Sequence, residues 1–329
     1  MTSETLSFLT TRHGFSFALD VLHGLSSRPR HLPSRYFYDA RGSELFQRIM
    51  ELPEYHLTRC EQEILQHRSP EMVRNLPDVP LDIIELGAGD GRKTYYLLQT
   101  LLEHRRSISY LPVDISISAL ETLERSMRQI WPHLPITPVH AEYFEGLIHL
   151  RSTSERRKLV LFLGSNIGNF TPEEARRFLR GLWLALNPGD FLLIGFDRRK
   201  NPSIVLPAYN DSQGLTKAFN LNLLERINRE LGGNFDTKSF TFYATYHPEQ
   251  SVIASYLISR KAQEVYIEAL HRRFRFESEE PIHTEYSFKF SDTTIEHLAR
   301  DTGFWRIARY LDSQEYFVDE LWEVTSEDA

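Results

Sequence analysis

The sequence predicts an α/β protein: a mostly parallel sheet with helices on both faces, joined to a smaller α+β domain. Between residues 83 and 197, short apolar runs alternate with longer amphipathic segments, which is typical of strands followed by crossover helices. A glycine-rich turn directly follows the first apolar run. Beyond residue 197 the pattern changes to aromatic-rich runs of alternating polarity, which indicate antiparallel strands.

Five apolar runs are the candidate strands of the parallel sheet: residues 81–86, 107–113, 136–140, 158–163 and 190–196. The helix before the last of them has the clearest boundaries. Thr171 is a good N-cap, Pro172 suits the first helical position, and Glu174 completes a capping box. The Asn-Pro-Gly sequence at 187–189 then ends this helix at residue 186.

The regions on either side of the parallel sheet have different patterns of apolar residues. The first sixty residues are predicted to be mostly helical with loops, and residues 215–231 form a helix that ends at Gly232. An antiparallel sheet is predicted next, with a hairpin turn at 247–250, followed by a helix at 293–302 and two closing strands at 305–311 and 316–324. The strands of that antiparallel sheet are 239–246, 252–259, 264–269, 274–277 and 284–290.

Two domains are therefore expected. Residues 60–199 and 290–329 form the α/β domain, and residues 1–59 pack with an insertion, 200–289, to form the smaller domain.

Composition excludes several classes of protein. A net charge of -7 does not favour nucleic-acid binding, and no apolar run is long enough to cross a bilayer. The single cysteine, Cys60, cannot form an intramolecular disulfide, which together with the absence of a signal peptide predicts a cytoplasmic protein. The 13 histidines lack metal-ligand spacing, so no metal site is expected. No feature demands an oligomer, and a monomer is predicted.

The glycine turn reads IIELGAGDGRKT. A dinucleotide fingerprint would need glycine where Arg92 stands, and a P-loop motif is absent. Gly87, Gly89 and Gly91 would let the backbone approach a nucleoside, while Glu85 would repel a phosphate. S-adenosylmethionine, a cation without phosphate, fits this combination. A glycine turn in some other α/β fold is the alternative.

Further side chains at strand ends favour S-adenosylmethionine. Asp114 ends the next strand, where an acid can accept hydrogen bonds from both ribose hydroxyls. Glu142 follows the third strand and could face an adenine edge, with Tyr143 beside it to stack. Each could be an ordinary surface residue, but acids at three successive strand ends together indicate a methyltransferase.

The sequence also resembles a known family, the histidine Nα-methyltransferases of ergothioneine biosynthesis. The resemblance spans about residues 32–323 and depends on six blocks in order: YFYDARGSELF, ELPEYHLTR, ELGAGDGRKT, LFLGSNIGNFTP, AYNDSQGLTKAFN and TEYSFKF. It implies a Rossmann-like class I methyltransferase domain with a seven-stranded sheet, and a smaller substrate-binding domain. It also implies an enzyme that uses S-adenosylmethionine to add three methyl groups to the α-amino nitrogen of free histidine, giving the betaine hercynine.

The resemblance further implies roles for individual residues. Tyr55, Asn169 and Tyr209 would hold the substrate's carboxylate and amino group, and Glu285 and Ser287 would bind its imidazole. The remaining positions are implied to line the substrate pocket or to follow the cofactor loop; they are the aromatic residues Tyr38 and Phe46, the loop residues Gly164 and Asn166, and Lys93.

Two of these assignments also make sense from the residues alone. Glu285 and Ser287 are two apart on a predicted strand, so their side chains leave the same face, although an ordinary polar strand face would look alike. Uncharged hydrogen-bonding groups such as Asn169 can orient an amino acid without adding positive charge beside a sulfonium. The chain departs from the family at Ser255, where a methionine that packs against the imidazole is common.

Alternatives remain open at this stage. Because of Ser255, another free amino acid or a small amine could be the acceptor. A non-catalytic module that binds S-adenosylmethionine, a nucleic-acid or protein methyltransferase and a nicotinamide-dependent oxidoreductase are the others. Arg92 argues against the last of these, and the negative charge against nucleic acid.

Overall fold

The computed structural model of the protein describes residues 12–143, 145 and 155–326. Its helices are α1 (Arg12–Ser26), α2 (Ala40–Met50), α3 (His56–Arg74), α4 (Thr94–Glu103), α5 (Ile117–Ile130), α6 (Pro172–Ala185), α7 (Pro202–Val205), α8 (Leu215–Leu231) and α9 (Asp292–Thr302). Its strands are β1 (Arg30–His31), β2 (Leu81–Leu86), β3 (Ile108–Asp114), β4 (Val139–His140), β5 (Arg157–Phe162), β6 (Phe191–Asp197), β7 (Phe240–His247), β8 (Val252–Ser259), β9 (Gln263–Ile267), β10 (Arg272–Phe276), β11 (Pro281–Phe288), β12 (Phe304–Leu311) and β13 (Phe317–Val324).

The chain divides into two compact units. The seven-strand unit comprises the described residues within His56–Lys200 and Phe288–Ala329. The four-strand unit comprises those within Met1–Tyr55 and Asn201–Ser287.

The seven-strand unit is built on one sheet with the strand order β12-β13-β6-β5-β2-β3-β4. Strands β4, β3, β2, β5 and β6 run parallel, whereas β13 is antiparallel to both β6 and β12. All six residues of β2 are buried, as expected for the centre of a parallel sheet covered on both faces. The predicted seven-stranded Rossmann-like sheet is confirmed, and its parallel strands present their carboxyl ends at one edge.

Helix α6 forms for the reasons read from the sequence. Thr171 and Glu174 make the reciprocal capping box, and Pro172 occupies the first turn. The helix buries Phe178 and Leu182 against the sheet, where Phe162 and Trp322 belong to the same apolar cluster. Burying a side chain of this size stabilises the fold by about 1.5–3 kcal/mol.

The third predicted strand is shorter than expected. Only Val139–His140 forms β4, and Ile136 makes an isolated bridge with Tyr110. Pro138 lies between them and has no N–H to donate, so it interrupts the ladder. The expected strand at 136–140 therefore reaches the sheet in two separate contacts.

The four-strand unit departs from the single antiparallel sheet that was expected. One sheet has the order β1-β11-β8-β7, and β9 and β10 form a separate two-stranded ribbon. Strand β1, from the segment predicted to be mostly helical, pairs parallel with β11. Helix α8 has the predicted bounds and ends at Gly232, whose φ of 64° suits a glycine C-cap.

Cys60 lies buried on α3, and burial, together with nearby Asp312, raises the pKa of its thiol to about 12. None of the described helices is long and apolar enough to span a membrane.

Candidate functional site

The glycine turn follows β2 at the carboxyl edge of the parallel sheet. Gly87, Gly89 and Gly91 all have positive φ, from 56° to 75°. Residues with a β-carbon rarely adopt this backbone conformation. A β-carbon on Gly87 would stand 2.8 Å from the Tyr143 hydroxyl, whereas nothing in the described part of this unit lies within 4 Å of such an atom on Gly89. The turn is therefore closed by packing at Gly87 and open at Gly89.

Asp114 at the end of β3 holds the open part of the turn in place. Its carboxylate accepts hydrogen bonds from the Gly89 N–H at 2.9 Å and the Ser116 N–H at 2.8 Å. Burial raises the pKa of Asp114, and these backbone donors oppose that rise. The Asp114 carboxylate is thus fixed beside Gly89, where the backbone is open, and it is a suitable acceptor for the hydroxyls of a nucleoside.

Glu85 is turned towards the interior of the seven-strand unit. Its carboxyl group is buried and accepts hydrogen bonds from the hydroxyls of Thr94 and Tyr110. Burial raises its pKa to about 7, despite these two donors. Through these two hydrogen bonds Glu85 links β2 to β3 and to the first turn of α4. The glycine turn lies between β2 and α4, so Glu85 fixes both of its ends.

The two residues predicted after the third strand differ in their surroundings. Glu142 is partly exposed. Tyr143 packs edge-on against Phe162, with ring centroids 5.2 Å apart, and against Phe170 at 6.4 Å. Burial raises the pKa of the Tyr143 hydroxyl, which therefore stays protonated. Tyr143 covers Gly87 as part of an aromatic cluster, a contact that the sequence did not indicate.

The loop after β5 lies beside the glycine turn. Asn166 donates to the Leu163 carbonyl at 2.8 Å, and its side-chain nitrogen would be 3.2 Å from a β-carbon on Gly87. Gly164 precedes it with φ of 78°, and partly exposed Asn169 ends the following 3-10 turn (Asn166–Asn169). Gly164, Asn166 and Asn169 therefore belong to the same edge of the seven-strand unit as the predicted cofactor residues.

Glu61 on α3 connects this loop with the residue that follows the glycine turn. Its carboxylate accepts the Gly164 N–H at 2.6 Å and pairs with the Lys93 ammonium. Burial alone would lower the pKa of Lys93, but the attraction of Glu61 outweighs it, so the pKa is raised. Lys93 is therefore a charged residue held by a protein carboxylate.

In the four-strand unit, four predicted aromatic residues form one continuous row. Ring centroids of Tyr38 and Phe46 are 5.5 Å apart, those of Phe46 and Tyr55 are 6.0 Å apart, and those of Tyr55 and Tyr209 are 6.5 Å apart, all edge-to-face. Phe219 of α8 packs behind the row, 5.5 Å from Tyr38. Residues from two distant stretches of the chain, 38–55 and 209–219, thus pack together as one aromatic cluster.

The row ends at the predicted imidazole-binding strand. The hydroxyls of Tyr209 and Ser287 are 2.7 Å apart and hydrogen-bonded. Glu285, two residues earlier on β11, is partly exposed and shares that face of the strand. Ser255 is buried on neighbouring β8, where its carbonyl accepts a hydrogen bond from the Thr284 hydroxyl at 3.1 Å.

Residues 17–324 match the model of a family described as "Histidine-specific methyltransferase, SAM-dependent". This chain belongs to that family. It is accordingly an S-adenosylmethionine-dependent N-methyltransferase.

Individual relatives are similar to this chain over most of its length. The histidine N-alpha-methyltransferase of Mycolicibacterium smegmatis is 37% identical over 291 residues, covering 87% of this chain and 89% of that protein. The corresponding protein of Mycobacterium tuberculosis is 36% identical, covering 89% and 90%. The ergothioneine biosynthesis protein 1 of Neurospora crassa is 33% identical over 88% of this chain but only 32% of its own length.

Three structurally important residues of this histidine-specific methyltransferase family member were missed from the sequence. Glu61 bridges two loops, Phe219 backs the aromatic row, and Ser165 adopts φ of 55° beside Gly164 while accepting the Asp197 N–H at 2.8 Å. Phe219 and Ser165 lay within quoted motifs, whereas Glu61 lay outside all of them. Among the described residues, no group of three or more histidines, cysteines or acids could hold a metal ion.

Proposed function

We propose that this protein transfers methyl groups from S-adenosylmethionine to the α-amino nitrogen of free L-histidine, three times in succession, to give the betaine. The observation that carries this proposal is the aromatic row of Tyr38, Phe46, Tyr55 and Tyr209 that ends at the Tyr209–Ser287 hydrogen bond, beside Glu285. Such a row suits a cation at one end and a polar heterocycle at the other.

The seven-strand unit is the proposed cofactor-binding domain. Gly89 offers space that a side chain would fill, and Asp114 offers carboxylate oxygens next to it. Gly87, Gly91, Lys93, Glu142 and Tyr143 are proposed to shape the rest of the site, and Glu85 to hold the turn from inside. When bound, S-adenosylmethionine supplies an electrophilic methyl group on a sulfonium.

The four-strand unit is the proposed substrate-binding domain. Glu285 can accept a hydrogen bond from one imidazole N–H, and the Ser287 hydroxyl can bind the other ring nitrogen, with Tyr209 fixing the orientation of that hydroxyl. Ser255 and Phe46 are proposed to line the same pocket, and Gly164 and Asn166 are proposed to bind the substrate. This acid–hydroxyl pair is the element that would select histidine.

Around the reacting nitrogen, the proposed residues are uncharged. Tyr55, Asn169 and Tyr209 can hold the amino group and carboxylate through hydrogen bonds, which aligns the nitrogen lone pair without adding a positive charge. The proton leaves the amino group through a tyrosine hydroxyl or water to solvent. The faces of Tyr38 and Phe46 then stabilise the growing positive charge by cation–π attraction, worth about 0.5–2 kcal/mol.

Mass spectrometry of histidine incubated with purified protein and S-adenosylmethionine tests the proposal directly. Additions of one, two and then three methyl masses are expected, with the trimethylated product accumulating. Unmodified histidine after many equivalents of enzyme, with activity on another amino acid in a panel of free amino acids, would contradict it.

A second candidate acceptor, a bulkier aromatic amino acid, is favoured by Ser255. A serine in place of the methionine that is common in the family leaves more room and less apolar contact for the ring. In that case Ser255→Met should lower activity on tryptophan or tyrosine and raise it on histidine. If histidine is the true acceptor, the same substitution should change the relative rates little.

The protein is also proposed to act as a cytoplasmic monomer that does not bind nucleic acid. Its net charge of -7 and single buried cysteine support this. Light scattering after size-exclusion chromatography should give one chain's mass, 38.5 kDa. Salt-dependent retention on immobilised RNA would contradict the second part.

A further inference from the structure

Asp197, the last residue of β6, is a fully buried carboxylate surrounded by basic side chains of its own unit. Its oxygens contact the ammonium of Lys200, the ammonium of Lys289 at 2.8 Å and the His56 imidazole nitrogen at 3.9 Å. The Lys289 contact is an ion pair without hydrogen-bond alignment. Lys200 and Lys289 are themselves almost completely buried, so Asp197 is an important counter-charge for both.

These three partners occupy special positions in the chain. The polypeptide passes between the two units at 55/56, 200/201 and 287/288. His56 is the first residue of the seven-strand unit after the first passage, Lys200 is the last before the second, and Lys289 is the second after the third. One carboxylate therefore contacts the seven-strand end of every connection between the units.

The backbone of Asp197 makes two further hydrogen bonds. Its N–H donates to the Ser165 hydroxyl at 2.8 Å, in the loop that carries Gly164 and Asn166. Its carbonyl accepts the Phe290 N–H at 2.9 Å, just beyond the third connection. Burial alone would raise the pKa of Asp197, but the attraction of Lys289 and Lys200 outweighs it and lowers the pKa well below its ordinary value, so the carboxylate stays charged.

The connections lead directly to proposed substrate-binding residues. Tyr55 immediately precedes His56, Ser287 stands two residues before Lys289, and Tyr209 follows Lys200 by nine residues. A shift of the first or third connection would therefore displace Tyr55 or Ser287, and a shift of the second would displace the helical segment, 202–209, that ends at Tyr209. Small displacements of groups that align a nucleophile reduce the rate strongly.

We infer that Asp197 is a positioning residue for methyl transfer: with His56, Lys200 and Lys289, it fixes the three chain connections from which Tyr55, Tyr209 and Ser287 extend. This inference rests on the proposed function, because it assigns Asp197 to the alignment of the proposed amino-acid substrate.

Three variants test it. Asp197→Asn keeps the shape and the backbone hydrogen bonds but removes the charge. The double variant Asp197→Asn with Lys289→Met also removes one of the two buried lysine ammonium groups that contact Asp197. Asp190→Asn is the matched control, because Asp190 is equally buried, lies just before β6 at its opposite end, and stands 4.0 Å from the buried Lys158 ammonium.

Both Asp197 variants are expected to lower kcat/KM for histidine at least tenfold while changing the dissociation constant of S-adenosylhomocysteine less than threefold. The double variant should recover thermal stability without recovering kcat/KM, and Asp190→Asn should lose stability but keep kcat/KM within threefold. Recovery of kcat/KM together with stability in the double variant would overturn the inference, since Asp197 would then serve charge balance alone.

Hydrogen exchange gives a readout that does not depend on the substrate. Exchange at all three connections should be at least fivefold faster in Asp197→Asn, or in the double variant if the single one does not fold. Unchanged exchange, or faster exchange at fewer than three connections, would overturn the inference. If the wild-type protein fails to methylate histidine, the proposed function fails, and this measurement still decides whether Asp197 holds the connections.

Discussion

Glu85 is buried at the end of β2 with its pKa raised to about 7, so the stability of the fold depends on its proton. Between the ordinary glutamate pKa of 4.5 and about 7, the folded chain keeps a proton that the unfolded chain releases. The free energy of unfolding therefore falls as the pH rises through this window and levels off above it. A shift of this size corresponds to on the order of 3 kcal/mol.

Glu85→Gln should remove most of that pH dependence, because a glutamine mimics the protonated side chain. Urea unfolding at pH 5 and pH 8 measures the difference, with exposed Glu103→Gln as the control that should behave like the wild type. Equal pH dependence in Glu85→Gln and the wild type would show that the side chain is not the titrating group.

Tyr209→Phe keeps the ring in the aromatic row but removes the hydroxyl that is bonded to Ser287. We expect kcat/KM for histidine to fall about tenfold or more, equivalent to about 1.4 kcal/mol of transition-state stabilisation. Calorimetry should give unchanged affinity for S-adenosylhomocysteine. Tyr243→Phe, at a position that is 53% exposed, is the control, and an equal loss in both variants would argue against a specific role for Tyr209.

Glu285→Ala should lower activity on histidine far more than any activity on tryptophan or tyrosine, because only histidine offers an imidazole N–H to the carboxylate. Initial rates on the three amino acids measure this, with exposed Glu277→Ala as the control. An equal effect on all three would remove the reason for assigning imidazole recognition to Glu285.

Helices and strands whose signals are local were predicted closely from the sequence. Helix α8 has the expected bounds because its C-cap glycine and apolar spacing are both contiguous in the chain. By contrast, pairing of β1 with β11 joins Arg30 to Ile282, and no local pattern marks a two-residue strand for so distant a partner. The separation of β9 and β10 into their own ribbon depends on tertiary packing in the same way.

The capping box of α6 allows a stability prediction for one element. Thr171→Ala should reduce the free energy of unfolding by about 1 kcal/mol, because the Glu174 N–H loses its acceptor and the Glu174 carboxylate loses the hydrogen bond that the Thr171 hydroxyl donates. Urea unfolding measures the change. Thr122→Ala, in the exposed interior of α5, should be neutral or slightly stabilising, and similar losses in both would exclude a capping effect.

At the scale of the whole chain, hydrogen exchange can test which of the two units binds the cofactor. Hydrogen exchange with and without S-adenosylhomocysteine should show the strongest protection in peptides that cover the glycine turn and the Gly164 loop. Those carrying Tyr38 and Phe46 should change less without an amino-acid substrate. Protection confined to the four-strand unit would reverse the proposed roles. At a ligand concentration of 100 times Kd, the stability gain should be about 2.7 kcal/mol.

The candidate site was predictable where a motif carried it. The glycine turn and Asp114 were predicted from their places at strand ends, and the four aromatic residues from the family resemblance. Glu61 was not, since it reaches Gly164 across 103 positions of sequence and lies in an ordinary helical pattern. The inward direction of Glu85 was also hidden, because burial of a carboxyl group depends on hydroxyl donors that are supplied by other elements.

Cys60 has a practical consequence for all of these experiments. As the chain's single thiol, enclosed within α3 and kept protonated by its surroundings, it should resist alkylating reagents while the protein is folded and react once that helix opens. The rate at which Cys60 is alkylated therefore reports whether a variant is folded. A slow rate in an inactive variant shows that activity was lost without loss of the fold.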